Sequence, residues 1–222
     1  CLFSNMLGQS IVLNGHNNII TNNEFTAIYG NSFITYSGYN HIIRRNYFHD
    51  CPLPLYYGEN DIVDHTGGTF YDYYVRTIIQ GTLQTVNSNI LIMENWMEDV
   101  EGAGISMSHS DTADPGDIHS TFIIGNVFIG VAGPTDGGQN NTHISSNTFY
   151  RCSFEGHGDS PVTVGGGSAY TNNGMTFTYN LMVGNGDHSA YPDEGYQTIT
   201  TTTNITISSN YLCGMEVTRF NR

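Results

Sequence analysis

An asparagine set inside an apolar run recurs along this chain. "FIIGNVFIG" holds Asn126, "NIITNNEFTA" Asn23, "HIIRRNYFHD" Asn46 and "ILIMENWMED" Asn95. "HISSNTFYRC" holds Asn147, "MTFTYNLMVG" Asn180, "ITISSNYLCG" Asn210 and "CLFSNMLGQS" Asn5. Asparagine is a poor strand former at home in turns, so eight such interruptions read as an internal repeat. Three residues before them stand Leu2, Ile20, Ile43, Ile92, Ile123, Ile144, Phe177 and Ile207. Two residues after them stand Leu7, Phe25, Phe48, Met97, Phe128, Phe149, Met182 and Leu212. A short strand enters, the chain bends at the asparagine, and a second strand leaves. Asparagine tolerates a left-handed backbone, and stacked amides can bond to one another and to neighbouring backbone.

The spacings between these asparagines are 18, 23, 49, 31, 21, 33 and 30 residues. A fixed corner with variable insertions suits a coil whose strands stack while its loops vary. A third strand per copy is expected in "SIVLNG", "SFITYSG", "RTIIQGTL", "GISMSHS", "SPVTVGGG" and "YQTITTTT", with "GVAGPTD" a weak match. Three short strands per coil, stacked in parallel, predict an all-β parallel β-helix of about eight coils with an asparagine ladder. A β-sandwich would not align eight asparagines. The strand–Asn–strand signature resembles the repeat of the right-handed, pectate-lyase-like parallel β-helix superfamily, from Leu2 to Leu212. The right hand of the coil is implied by that resemblance. Activity is not, because the superfamily spans lyases, hydrolases, epimerases, tailspikes and adhesins. Eight coils at about 4.8 Å per strand give a rod roughly 40 Å long. The repeat runs through without a linker, which predicts one domain over residues 1–222. The opening on Cys1 inside a repeat and the lack of evident caps predict a piece of a longer chain.

Four cysteines lie at Cys1, Cys51, Cys152 and Cys213, with no zinc spacing, and most are expected as buried thiols. Cys51 and Cys152 stand three coils apart, too far for a disulfide. The sequence carries no signal peptide and no run long enough to span a membrane. Abundant Asn, Thr, Ser, Gly and Tyr with no Lys suggest an extracellular or cell-surface protein, with glycosylation acceptor patterns at Asn140 and Asn204. The net charge of −14, with Arg as the only strong cation, argues against nucleic acid. It also argues against polyanionic glycans unless cations bridge the like charges.

Four loops carry the polar chemistry. The insertion between Asp50 and Arg76 is rich in Tyr, and Tyr56 and Tyr57 are candidate sugar-stacking residues. "SHSDTADPGDIHS" sets Asp111, Asp114 and Asp117 three apart in a Pro/Gly turn, a candidate calcium loop outside the EF-hand pattern. "FEGHGDSPVTVGGG" contains Glu155, His157 and Asp159; its Gly156-His157-Gly158 resembles the Gly-His-Gly of polygalacturonase-type glycosidases. The other motifs of that family, Asn-Thr-Asp, Asp-Asp and Arg-Ile-Lys, are missing here, so only His157 carries over. "GNGDHSAYPDEGYQ" supplies Asp187, Asp193 and Glu194, with Tyr191 as a stacking surface. The last two loops fall at one edge of neighbouring coils, where about 4.8 Å per coil suits a carboxylate pair across a sugar. Asp159 as acid and Glu194 as partner is the preferred pair, with Asp187 or Glu155 able to replace either. Two functions are therefore expected. One is a carbohydrate-active or carbohydrate-binding protein acting on a polysaccharide or surface glycan, hydrolysis suiting it better than elimination. The other is a non-catalytic structural, adhesive or fibre-forming segment that self-associates end to end or laterally.

Overall fold

The computed structural model describes residues 1–6, 10–13, 15–28, 32–36, 39–51, 76–80, 87–100, 103–107, 118–131, 133–137, 140–152, 163–164, 172–184, 194–198, 202–213 and 217–220. All of its regular elements are strands, and every strand pairing is parallel. One sheet precedes the asparagine corner. Its seven strands are Ile19–Thr21, Ile42–Arg44, Asn87–Met93, Ile118–Ile124, Asn140–Ser145, Asn172–Thr178 and Thr202–Ser208. A second sheet follows the corner. Its eight strands are Leu2–Met6, Glu24–Ile28, Tyr47–Cys51, Trp96–Val100, Val127–Ile129, Thr148–Tyr150, Leu181–Val183 and Tyr211–Cys213. The third strands form a five-stranded sheet (Ile11–Leu13, Ser32–Tyr36, Arg76–Gln80, Ala103–Met107, Gly133–Gly137) and a three-stranded one (Thr163–Val164, Glu194–Thr198, Val217–Phe220). The weak "GVAGPTD" segment does supply a strand, and Val217–Phe220 adds one that the repeat did not announce.

Period-two alternation decides what faces inward. In the sheet before the corner, Ile20, Ile43, Ile92, Ile123, Ile144 and Phe177 are buried. In the sheet after it, Phe25, Phe48, Met97, Phe128, Phe149 and Met182 are buried. Parallel in-register pairing puts like on like: Ile92 lies opposite Ile123, and Phe128 opposite Phe149. The rings stack along the axis, with Phe25 and Phe48 4.8 Å apart and Phe128 and Phe149 5.0 Å apart. Ile207 and Leu212 continue both columns yet are 38% and 45% exposed, with no further coil over them among the described residues.

The corner asparagines form a continuous buried ladder. The Asn95 backbone N–H and its amide both donate to Asn126 Oδ1 (3.0 Å each), and the Asn126 backbone N–H and amide donate to Asn147 Oδ1 (2.8 and 3.0 Å). Each amide also reaches a carbonyl of the coil before: Asn126 that of Ile92, Asn147 that of Ile123, Asn180 that of Ile144. The sequence reading placed the left-handed bend on the asparagine itself. The structure places it one residue earlier, with φ of 55° at Asn22, 53° at Arg45 and Glu94, 65° at Gly125, 56° at Ser146, 57° at Tyr179 and 56° at Ser209. The asparagine is selected for its amide, and the residue before it takes the strain.

The first copy is also re-registered. Leu2 pairs with Glu24 and Phe3 with Phe25, so Cys1, not Asn5, occupies the corner. The Cys1 nitrogen donates to Asn23 Oδ1 (3.2 Å), and the Glu24 N–H donates to the Cys1 carbonyl (2.8 Å). The physical reason is the aromatic column: Phe3 stacks on Phe25 at 4.8 Å, whereas Leu2 lies on the outer face, 61% exposed. Asn5 sits at a second left-handed bend, four residues past the corner, with Ala27, Asp50, Asp99, Gly130, Arg151 and Gly184. The cysteines divide as well. Cys152 is buried, but Cys1 and Cys213 are exposed, and all three are free thiols.

Candidate functional site

Most of the sequence-derived site residues lie outside the described residues: Tyr56, Tyr57, Asp111, Asp114, Asp117, Glu155, His157, Asp159, Asp187, Tyr191 and Asp193. Glu194 opens the strand Glu194–Thr198, which pairs with Thr163–Val164; the strands that follow the third and fourth loops are therefore neighbours. The side chain of Glu194 lies outside the described set, as does that of Asn140 at the start of Asn140–Ser145. Asn204 is exposed within Thr202–Ser208, at a φ of 55°. Among the described residues, no three His, Cys, Asp or Glu side chains gather as a metal site, and no helix is long and apolar enough to cross a membrane.

The described chemistry concentrates elsewhere, on the outer face of the sheet after the corner. Three adjacent strands contribute, Glu24–Ile28, Tyr47–Cys51 and Trp96–Val100. Their register puts Glu24, Tyr47 and Trp96 in one outward column and Thr26, His49 and Glu98 in the next. A single oxygen, Glu98 Oε2, accepts both the Tyr47 hydroxyl and the Trp96 indole N–H, each at 3.0 Å. His49 lies face to face with Tyr47, ring centroids 4.2 Å apart. Its Nδ1 is 2.7 Å from Asp50 Oδ2 and its Nε2 is 3.2 Å from Glu24 Oε1. Only the doubly protonated imidazole donates to both carboxylates at once. The second oxygens, Glu24 Oε2, Asp50 Oδ1 and Glu98 Oε1, have no protein partner among the described residues.

The electrostatics of the patch are negative. Tyr47 is pushed up to about 12, first by partial burial, then by the hydrogen bond to Glu98 and the charges of Glu98, Asp50 and Glu24. Asp99, exposed at the bend beyond Glu98, adds a fourth carboxylate. The rings stay accessible nonetheless: Tyr47 is 37% exposed and Trp96 44%. Sequence reasoning passed over this patch because it looked for chemistry in the long loops. Its signal was present in the aligned copies "NYFHD" and "NWMED", where an aromatic follows the corner and polar groups stand three and four residues past it.

Two other groupings are structural. At the corner, Glu94 on one coil accepts from Arg44 (3.0 and 3.3 Å) and Arg45 (2.6 Å) on the coil before, and the two guanidinium groups hold its pKa below the usual carboxylate value. Burial pushes the Cys152 thiol up to about 12, which keeps it protonated and inert as a nucleophile.

Against known proteins, a family model described as "Right handed beta helix region" matches residues 1–149. No curated protein and no solved structure matches the chain.

Proposed function

The chain belongs to the right-handed β-helix family, and on that premise we propose that it is an extracellular carbohydrate-binding protein. The observation that carries this reading is the row of exposed aromatic rings on one outer face. Tyr47, Trp96, Tyr150 and Tyr211 are each more than a third exposed and belong to one sheet. Five coil steps separate the first from the last, about 24 Å of rod at the strand spacing. A flat ring offers a sugar's C–H face a rigid apolar surface and a polar tip at low entropic cost. A linear glycan lying along the rod would meet these rings in succession. Hydrolysis by Asp159 and Glu194 is the further activity proposed from the sequence.

The test is a polysaccharide panel, neutral, acidic and basic, scored for binding and for released ends. Binding of at least one glycan, lost in a Trp96→Ala variant, supports the reading. Binding that survives Trp96→Ala and Tyr47→Ala together puts the site elsewhere. Released ends that vanish in Asp159→Asn and Glu194→Gln would add the hydrolytic step.

A further inference from the structure

Resting on the carbohydrate-binding reading, we infer that the Tyr47–Trp96 patch selects glycans whose sugars carry free amino groups, protonated in use. Two partly exposed aromatic rings, Trp96 and a Tyr47 with one face covered by His49, stand among Glu24, Asp50, Glu98 and Asp99 on three successive coils. Aromatic faces attract cations as well as C–H groups. The carboxylates present three acceptor oxygens without a protein partner among the described residues: Glu24 Oε2, Asp50 Oδ1 and Glu98 Oε1. An ammonium group has three donors and no acceptor, so it matches such a surface; a hydroxyl also fits, and an acetamide or a uronate fits less well.

The charge balance of the patch favours a cation as well. The three strands Glu24–Ile28, Tyr47–Cys51 and Trp96–Val100 contain no Arg, and the chain has no Lys. Arg44 and Arg45, immediately before the Asn46 corner, are turned to Glu94. His49 is the one side chain of these strands able to become a cation, and it already faces Glu24 and Asp50. A uronate would thus meet like charge, in a chain of net charge −14. A polymer with one amine per sugar would place positive charges along the rod, where the coils repeat every 4.8 Å or so.

The patch is also preorganised. Glu98 Oε2 fixes the polar tips of both rings, so neither has to be ordered by the ligand. The same carboxylate keeps Glu98 Oε1 as a second acceptor near the polar tips of both rings, where an ammonium would make a charge-assisted hydrogen bond.

The experiment is calorimetric titration of the full chain at pH 6 with three oligosaccharides of equal length and linkage: a deacetylated hexosamine, its N-acetylated form and the plain glucose oligomer. An oligolysine of matched charge serves as control. The deacetylated oligomer is expected to bind at least about tenfold more tightly than the other two, and to weaken as salt rises. Trp96→Ala should remove binding of all three sugars. Glu98→Gln with Asp50→Asn, which keep side-chain size, should erase the preference and leave the residual neutral binding. Equal affinity for the three sugars, still dependent on Trp96, overturns the amine preference and leaves the carbohydrate reading standing. Tight oligolysine binding that ignores Trp96→Ala, with no sugar bound, overturns both.

Discussion

Two columns of asparagine run along this rod, and they exist for different reasons. The first is the corner ladder, in which Asn46, Asn95, Asn126, Asn147 and Asn180 are fully buried. The second lies six residues earlier in each coil: Asn17, Asn40, Asn89, Ser120, Asn141, Gly174 and Asn204. Here the residue itself is left-handed, with φ of 58° at Asn17, 57° at Asn40 and 54° at Asn89. This column is exposed at Asn17, Asn40, Asn89, Asn141 and Asn204. Its amides also stack, Asn40 donating to Asn17 (3.1 Å) and Asn89 to Asn40 (3.2 Å). Yet serine and glycine interrupt it, and nothing interrupts the buried ladder from Asn23 to Asn210. Inside, each amide completes hydrogen bonds that no water can replace, so the residue type is fixed. Outside, the bend needs only tolerance of positive φ, which Asn, Gly and, with more strain, Ser supply.

The comparison breaks first at Asn126. Asn126→Ala strips the Asn95 N–H of its acceptor and removes the amide that reaches the Ile92 carbonyl. The cost is about 1–3 kcal/mol for each buried group left unpaired. Urea denaturation should show it as a lower midpoint with an unchanged slope. A variant as stable as the parent would mean that the ladder is decoration.

Next comes Asn89→Ala in the exposed column. Water can replace its amide bond, so the loss is mainly the left-handed backbone, about 1 kcal/mol. Asn89→Gly, which relieves that strain, should stay close to the parent. If alanine and glycine behave alike in the same denaturation assay, backbone strain is not what selects asparagine there.

How legible was this? The buried ladder was, because a buried amide demands apolar neighbours at fixed offsets, and Ile or Phe at minus three and Phe or Met at plus two repeat through six central copies. The first copy misled because Leu2 and Leu7 satisfy the same offsets by coincidence; only the stacking of Phe3 on Phe25 distinguishes the registers. The outer column escaped notice because Ser120 and Gly174 break it, as weak constraints allow. The bend residue escaped because Arg45, Glu94, Ser146 and Tyr179 share no chemistry, only a backbone angle. The patch around Glu98 was hidden for a related reason. Outward positions carry no periodic demand, so Tyr47 and Trp96 look like ordinary surface residues until the register sets them side by side.

A smaller effect sharpens the comparison at the strained bend beside the buried ladder. Glu94 holds a left-handed angle and is paired with Arg44 and Arg45, which lower its pKa in the folded chain. A depressed carboxyl stabilises the fold above its unfolded value and loses that contribution as pH falls through the folded value. The melting temperature of Glu94→Gln should therefore lie slightly below the parent's at neutral pH, and the two should converge in acid below the ordinary carboxylate range. Because the pair is solvent-exposed, added salt should shrink the neutral-pH gap. A gap that persists unchanged in acid would assign the effect to the bend rather than to the charge.

The smallest effect expected is at Gly174, where the outer column has no side chain. Its φ of 77° suits glycine or asparagine, and Asn141 Oδ1 lies 2.6 Å from where a Cβ would stand. That oxygen is the far end of an exposed side chain, so it can swing aside. It would then meet the new amide as Asn17 Oδ1 meets that of Asn40. Gly174→Asn thus trades a small positive-φ strain for one surface hydrogen bond and a less flexible unfolded chain. The three contributions nearly cancel, and the change should stay within about 0.5 kcal/mol, the usual range for surface substitutions. Gly174→Val adds a branched side chain at the same angle and offers no bond, so it should cost clearly more in the same denaturation assay. If asparagine proved as damaging as valine, the outer column would be selected for space rather than for conformation. The contrast between the two columns would then rest on burial alone.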